Sequence, residues 1–179
     1  MALPDGPTRP TQNRARIALF NILNEILPAT STRHQPLITV WDAFAGSGAF
    51  GLECVSRGWA NRAIFTDTAP ESVRAIKLNA RGFDGAAAEI VIQRRDAIAA
   101  AAEYGAAADL VFMDPPYANP TLGAQLLEKL AAAAKPGTII VWEMEKEPSV
   151  SGKFEILKDK IYGRARFVIM RKLPPPKSC

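Results

Sequence analysis

Asp114, Pro115, Pro116 and Tyr117 are the residues whose types and order most clearly suit a chemical task. An amino nitrogen on an aromatic base is a poor nucleophile, because its lone pair is delocalised into the ring. The Asp114 carboxylate and the Pro115 carbonyl can accept both N–H hydrogens and favour a pyramidal nitrogen, while the two prolines keep the turn rigid. Tyr117 offers a ring on which an extruded base can stack. These four residues are therefore the predicted catalytic group, with a plain strand-ending turn as the alternative.

A second candidate site is the Gly-rich segment 46–51, Gly-Ser-Gly-Ala-Phe-Gly, which matches a dinucleotide-binding pattern. Asp67 lies 16 residues past Gly51, where a ribose-binding carboxylate is expected. A nicotinamide-dependent dehydrogenase is therefore one interpretation. Two features argue against it: Asp42, just before the turn, would repel a pyrophosphate, and no His, Lys and Tyr constellation for hydride transfer accompanies the motif. Asp42 suits an ammonium group instead, bound directly or through water.

Asp42, Asp67, Asp96 and Asp114 follow four successive predicted strands. Because ligands of open α/β sheets bind outside the carboxyl ends of the strands, these carboxylates are expected along one site. Such a row suits a cationic ligand that carries an ammonium group, ribose hydroxyls and an adenine amino group. S-adenosylmethionine has all of these and is the predicted cofactor. For each aspartate taken alone, a helix N-cap is the alternative.

The elements that would position these residues alternate between strands and helices, which predicts a parallel sheet with right-handed crossovers. The last two strands are separated only by the turn at Gly163-Arg164, which predicts an antiparallel hairpin. The first helix, capped by Thr11, is predicted to bury Ile17, Phe20, Leu23 and Leu27. The predicted helices span 11–27, a stretch from the Gly-rich turn to about 57, 70–79, 97–104 and 120–134; the predicted strands span 37–41, 63–66, 89–93, 109–113, 138–142, 154–162 and 165–171.

Composition predicts one soluble domain over residues 1–179, with an N-terminal arm and helix (1–36), a core (37–172) and a tail that frays (173–179). There is no apolar run near the roughly 20 residues that a membrane span needs, and no signal peptide is recognisable. Cys54 and Cys179 stand in no ligand spacing, so a reduced cytoplasmic protein without a metal site is expected.

The charge distribution is uneven. Residues 1–35 carry a net charge of +2 and residues 150–179 of +6, so with +4 overall the middle of the chain is at −4. Basic ends around an acidic core favour a polyanionic partner that contacts the ends. A basic tail that serves solubility is the alternative.

These residues resemble the Rossmann-like S-adenosylmethionine-dependent methyltransferases that modify base amino groups. More closely, nearly all 179 residues resemble the bacterial 16S ribosomal RNA guanine-N(2)-methyltransferase family. The Asp-Pro-Pro-Tyr motif is shared with DNA amino-methyltransferases, whereas the N-terminal segments indicate the ribosomal RNA branch. The resemblance is carried by Arg9-Pro10-Thr11, Arg14, Arg16, Leu19-Phe20-Asn21-Ile22-Leu23, Asp42-Ala43-Phe44-Ala45-Gly46-Ser47-Gly48, Asp114-Pro115-Pro116-Tyr117 and Tyr162-Gly163.

The resemblance implies a class I methyltransferase fold with a mostly parallel seven-stranded sheet, an antiparallel C-terminal hairpin and helices on both faces. It also implies a monomer acting on 16S rRNA in the small subunit or an assembly intermediate, with Asp67 at the ribose, Asp96 at the adenine and the segment 114–117 around the guanine. The cofactor-binding residues would be Asp42, Phe44, Ala45, Gly46, Gly48, Asp67, Asp96 and Ala97, and the RNA-binding residues Arg9, Thr11, Arg14, Arg16, Arg164 and Arg166.

The sequence departs from the family in three places. Family members usually begin with a further basic strand before the Leu-Pro segment, whereas this chain starts at Met1-Ala2-Leu3, so the contribution that the Lys and Arg residues of that strand would make to RNA affinity is left open. Asn13 stands where Asp is common and Ile17 where Glu is common. Neither position belongs to the predicted catalytic group.

Three other functions remain open from the residues alone. A DNA adenine or cytosine amino-methyltransferase would use the same four residues, although this length leaves little room for a separate target-recognition domain. A protein glutamine methyltransferase would be expected to carry Asn in place of Asp114. An RNA-binding module with a vestigial cofactor pocket is the non-enzymatic alternative.

Overall fold

The computed structural model describes residues 10–27, 38–116, 118–119, 121–144 and 152–176, with side chains from residue 14 onwards. Seven strands form one sheet in the order β3-β2-β1-β4-β5-β7-β6, in which β1 to β5 pair in parallel and β6 and β7 are antiparallel. The elements are α1 (Pro10–Ile26), β1 (Ile38–Asp42), α2 (Ala49–Ser56), β2 (Ala60–Asp67), α3 (Pro70–Ala80), a 3-10 turn (Arg81–Phe83), β3 (Glu89–Arg94), α4 (Ala97–Ala107), β4 (Leu110–Met113), α5 (Leu122–Ala133), β5 (Ile139–Met144), β6 (Phe154–Tyr162) and β7 (Ala165–Lys172).

The sheet separates two apolar layers, because successive side chains of a strand point to opposite faces. Val40 and Phe112 belong to the first layer, where helices α1, α2 and α3 pack. Trp41 and Met113 belong to the second layer, under α4 and α5. The predicted α/β architecture, with helices on both faces, is confirmed.

The order of the last two strands follows from their side chains. Residues 167–170 of β7 are buried, so this strand lies inside the sheet between β5 and β6. Most residues of β6 are exposed, among them Lys158 and Lys160. A charged, solvated strand at the edge discourages pairing with other chains. The predicted hairpin is confirmed, and its apolar strand is the one that extends the core.

The apolar face of α1 differs from the prediction. Ile17 is 58% exposed, and the prediction for this residue was wrong. The buried stripe begins instead at Ala15, and Ile17 stands two residues from it, about 200° around the helix. The helix also begins at Pro10, which places Thr11 in the first turn rather than at the cap. The buried residues are Ala15, Leu19, Phe20, Leu23 and Leu27.

Gly51 explains how closely α2 approaches the sheet. A Cβ atom built at Gly51 would overlap the ring of Phe65 on β2, and that ring is completely buried. The last glycine of the Gly-rich motif is therefore required for helix–strand packing. This contact holds the start of α2 against the strand that ends at Asp67.

We expect Gly51→Ala to lower the free energy of unfolding by about 1–3 kcal/mol, because the added methyl group overpacks a rigid ring in the core. Gly82→Ala is the matched control: nothing lies within 4 Å of an added Cβ there, and its φ is not positive. That control should change stability by less than about 0.5 kcal/mol. Urea unfolding of the three proteins measures both values, and equal stabilities would contradict the packing argument.

Candidate active site

A cleft of about 430 Å³ lies at the carboxyl ends of β1 to β4. The loops after these four strands, together with the start of α5, form its walls. This position is where doubly wound sheets bind their ligands. The cleft brings together seven residues that the sequence predicted: Phe44, Gly46, Asp67, Asp96, Ala97, Asp114 and Pro116.

The Gly-rich turn forms one wall of the cleft. Gly46 and Gly48 have φ values of 53° and 77°, in the left-handed region that favours glycine. The Ala45 N–H donates to the carbonyl of Thr66 at 3.0 Å, which ties the turn to the end of β2. Gly46 lines the cleft, whereas Ala45 and Gly48 are buried and do not line it.

Asp67 joins two loops of the cleft. One carboxylate oxygen accepts a hydrogen bond from the Gly46 N–H at 2.9 Å, and the other accepts from the Ala69 N–H at 2.9 Å. The carboxylate keeps lone pairs for further donors, since each oxygen can accept more than one hydrogen bond. Its position in the cleft wall suits the predicted contact with ribose hydroxyls.

Asp96 is the N-cap of α4 and accepts a hydrogen bond from the Ala99 N–H at 2.9 Å. The helix-cap interpretation therefore holds for this aspartate. The same side chain is exposed and lines the cleft beside Ala97. The carboxylate of Asp96 keeps lone pairs that the helix cap does not use, so the contact of Asp96 with adenine stays a prediction.

Asp42 lies beneath the Gly-rich turn and is only 2% exposed. Its Oδ2 accepts a hydrogen bond from the Gly51 N–H at 3.1 Å. The pKa of Asp42 is raised to about 8, mainly by burial and in smaller part by the charges of Asp114 and Asp67, while the hydrogen bond from Gly51 lowers it. Asp42 does not line the cleft. It supports the turn from below, and its contact with an ammonium group stays a prediction.

We expect Asp42→Asn to reduce the pH dependence of stability. The folded pKa of about 8 lies above the unfolded value near 4, so Asp42 favours folding at low pH and this contribution is lost as pH rises toward 8. Asparagine stays neutral and can still accept from Gly51. Between pH 5 and pH 7, the free energy of unfolding of the variant relative to that of the wild type should increase by on the order of 1 kcal/mol per pH unit. Urea unfolding at both pH values measures this.

Asp84→Asn is the control, because Asp84 is exposed in the turn that follows Arg81–Phe83. Its pH dependence should match that of the wild type. An Asp42→Asn protein that loses stability with pH as steeply as the wild type would contradict the assigned burial.

Asp114 follows β4 directly and reaches the cleft together with Pro116. The side chain is half-buried, and burial raises the pKa of Asp114 to about 6. The carboxyl group is therefore largely ionised at pH 7 and able to accept hydrogen bonds. Pro115 is half-buried but does not line the cleft, and Tyr117 lies outside the described residues.

Glu143 is a carboxylate near the site that the sequence analysis missed. It lies on β5, beside β4, the strand that Asp114 directly follows, and it is half-buried. Burial raises the pKa of Glu143 to about 7, and the charge of Asp114 contributes to the shift. Its signal in the sequence was the same as for the four aspartates: an acidic residue directly after an apolar strand segment.

Further lining residues were given no role in the site by the sequence analysis. Arg95 holds its guanidinium between Glu103, at 2.6 Å, and the ring of Tyr104, 5.5 Å from the centroid. Thr68, in the loop after β2, and Ser72, in the first turn of α3, each add a hydroxyl group to the cleft. These unpredicted residues are Ala43, Thr68, Ala69, Ser72, Arg95 and Leu122.

The predicted RNA contacts lie on two elements that pack together, since α1 contacts β6 and β7. Arg14 and Arg16 are exposed on α1, and Arg164 is exposed in the hairpin turn. Arg166 differs, because its guanidinium donates to both oxygens of Asp159 at 2.8 and 2.6 Å and lowers the pKa of that carboxyl. Arg9 and the side chain of Thr11 lie outside the described residues.

Two negative findings concern only the described parts of the chain. None of their helices combines the length and apolar character required to span a membrane. No group of three or more His, Cys, Asp or Glu side chains there is placed to hold a metal ion.

The parallel sheet with its antiparallel end, the Gly-rich turn after β1 and the carboxylates at the strand ends define a class I methyltransferase fold. The chain belongs to the family described as conserved hypothetical protein 95, which matches residues 1–171.

Named relatives agree with this assignment. The chain is 30% identical to "Ribosomal RNA small subunit methyltransferase D" from Escherichia coli over 178 residues, 96% of this chain and 84% of that protein. It is 27% identical to "Putative rRNA methyltransferase YlbH" from Bacillus subtilis over 179 residues, 96% of this chain and 91% of that protein. The solved structure of "Putative methyltransferase yhhF" from Escherichia coli has a TM-score of 0.77 at 26% identity, covering 97% of this chain and 92% of that one. The predicted family and fold class are confirmed.

Proposed function

We propose that this chain transfers a methyl group from S-adenosylmethionine to the exocyclic 2-amino group of a guanine in 16S rRNA of the small ribosomal subunit. The observation that carries the proposal is the position of Asp114, which lines the same cleft as Gly46 and Asp67. A group suited to hold an amino acceptor therefore stands beside residues suited to hold the methyl donor. The name of the Escherichia coli relative supports the small-subunit rRNA as substrate.

The cleft fits the proposed cofactor in charge and in hydrogen-bonding capacity. S-adenosylmethionine, when bound, supplies a methyl group on a positively charged sulfur. Asp67 would accept from the ribose hydroxyls and Asp96 from the adenine amino group, while Phe44 and Ala97 would contact the nucleoside. The acidic wall complements the positive charge of this cofactor.

Asp114 would act on the acceptor nitrogen. Its carboxylate would accept one amino hydrogen and the Pro115 carbonyl the other, so that the nitrogen lone pair points into the cleft. Because burial raises the pKa of Asp114 to about 6, the same carboxylate could take up a proton once methylation has made the nitrogen acidic. Positioning and hydrogen bonding would supply most of the rate enhancement.

The basic ends of the chain would bind the RNA backbone. Arg14 and Arg16 on α1 and Arg164 on the hairpin are exposed on packed elements, so one RNA segment could contact both. Arg9 and Thr11 would extend this contact, whereas a phosphate at Arg166 would share its guanidinium with Asp159. Backbone contacts of this kind hold an RNA while the target base leaves its stack.

The direct test supplies labelled S-adenosylmethionine with undermodified small subunits, bare rRNA and duplex DNA in parallel reactions. We expect label in the rRNA that digests to 2-methylguanosine. Label only in DNA would keep the Asp114 chemistry and overturn the ribosomal substrate. Absence of both label and calorimetric cofactor binding would favour an RNA-binding module with a vestigial pocket.

Asp114→Ala tests the catalytic assignment. Loss of the positioned acceptor should reduce kcat by at least about 100-fold, with the dissociation constant for S-adenosylmethionine near that of the wild type. Asp84→Ala removes an exposed carboxylate and should leave both quantities unchanged. Methyl transfer to the small subunit and calorimetry measure them, and a fully active Asp114→Ala protein would refute this role.

A further inference from the structure

Glu143 and Asp114 stand side by side at the carboxyl ends of two adjacent strands. Met113 of β4 pairs with Trp142 of β5, and each carboxylate follows its residue of this pair. Neighbouring strands of a sheet lie about 4.8 Å apart, so the two side chains start within reach of a single base.

Glu143 lies on the face of the sheet that α1 covers, close to Asp114. Met113 and Trp142 point into the second apolar layer, under α4 and α5. The alternation of side chains along β5 therefore turns Glu143 toward the first layer, which α1 covers. Asp114 is the first residue after β4 and lies close enough for its charge to act on Glu143 and on Asp42. Phe167, the partner of Glu143 on β7, lies in that first layer as well. Glu143 thus faces the helix that carries Arg14 and Arg16.

Neither carboxylate has a protein partner in the described parts of the chain. No residue there donates a hydrogen bond to Asp114 or Glu143, and the interaction resolved between them is repulsive. Both side chains are half-buried, and burial raises the pKa of each, so a ligand that displaces water from them must supply hydrogen-bond donors of its own. A ligand with several adjacent N–H donors would satisfy both carboxylates.

Guanine has such an arrangement of donors. Its Watson–Crick edge presents the ring N1–H next to the 2-amino group. Adenine and cytosine also carry an amino group, but the adjacent ring nitrogen has a lone pair and accepts. A single carboxylate can hold the amino group of all three bases. When Asp114 and the Pro115 carbonyl hold both amino hydrogens, a second, ionised carboxylate beside them can accept from the N1–H of guanine and opposes the lone pair of the other two bases.

We propose that Glu143 accepts the N1–H of the target guanine while Asp114 accepts from its 2-amino group, so that Glu143 selects guanine over other amino-bearing bases. This assignment rests on the proposed function, and it makes Glu143 the residue that determines which base is methylated. Along the sheet edge, Asp67 ends β2, Asp114 follows β4 and Glu143 lies near the end of β5, so that the cofactor would lie on one side of Asp114 and the base on the other.

The test compares guanine with 2-aminopurine at the methylated position of reconstituted small subunits, once that position has been mapped with the wild-type protein. 2-Aminopurine keeps the 2-amino group but has a lone pair at N1. The wild type should prefer guanine in kcat/KM by about 100-fold or more, because a site built for an N–H donor rejects an analogue without it.

Glu143→Gln should narrow this preference at least about tenfold, since an amide can donate to the unprotonated N1. The missing O6 of 2-aminopurine affects both proteins alike and cancels in the comparison. Glu128→Gln, at an exposed position of α5, should keep the wild-type preference. Calorimetry with S-adenosylmethionine shows that each variant retains a folded cofactor site.

The possible outcomes distinguish a failure of the role assigned to Glu143 from a failure of the proposed function. A wild type that forms no 2-methylguanosine overturns the proposed function and the role of Glu143 with it. An active wild type that methylates 2-aminopurine as well as guanine overturns the role of Glu143 alone, without reference to any variant. An unchanged preference in Glu143→Gln does the same.

Discussion

Parallel hydrogen bonding of β1 with β2 and β4 places the ends of these strands at one edge of the sheet. Asp42 pairs with Phe65 on one side and with Phe112 on the other, so Asp67 and Asp114 emerge on either side of it. The cleft, the Gly-rich turn and the acidic wall all depend on this register. A shift of one residue would send each of these side chains to the opposite face.

The site concentrates carboxyl groups that the protein itself does not neutralise. Burial raises the pKa of Asp42, Asp114 and Glu143 to about 8, 6 and 7, and the charge of Asp114 contributes to the shifts of both the others. Such an arrangement lowers the stability of the free protein, which is characteristic of functional sites. The ligands proposed for the cleft would offset this loss of stability. A cationic cofactor would supply positive charge, and the N–H groups of a base would supply hydrogen-bond donors to the carboxyl groups.

The proposed RNA-binding side of the molecule is formed by the two ends of the described chain. Helix α1 packs against β6 and β7, which places Arg14 and Arg164 on neighbouring elements. The same packing covers the face toward which Glu143 points, close to Asp114. Electrostatic attachment of the RNA and recognition of its base would therefore occur on one side of the sheet, with the cofactor reached through the loops of β1 to β3.

The sequence by itself determined the α/β architecture, the Gly-rich turn and the position of Asp114 after a buried strand, because periodicity and turn chemistry are local properties of the chain. It left undecided which aspartates face the cleft: the tertiary structure places Asp42 beneath the turn, whereas Asp96 lines the cleft and also caps α4. Only the tertiary structure decided that α1 exposes Ile17 and that Glu143 stands beside Asp114. These features depend on strand order, register and helix packing, which are set by contacts between residues far apart in the sequence.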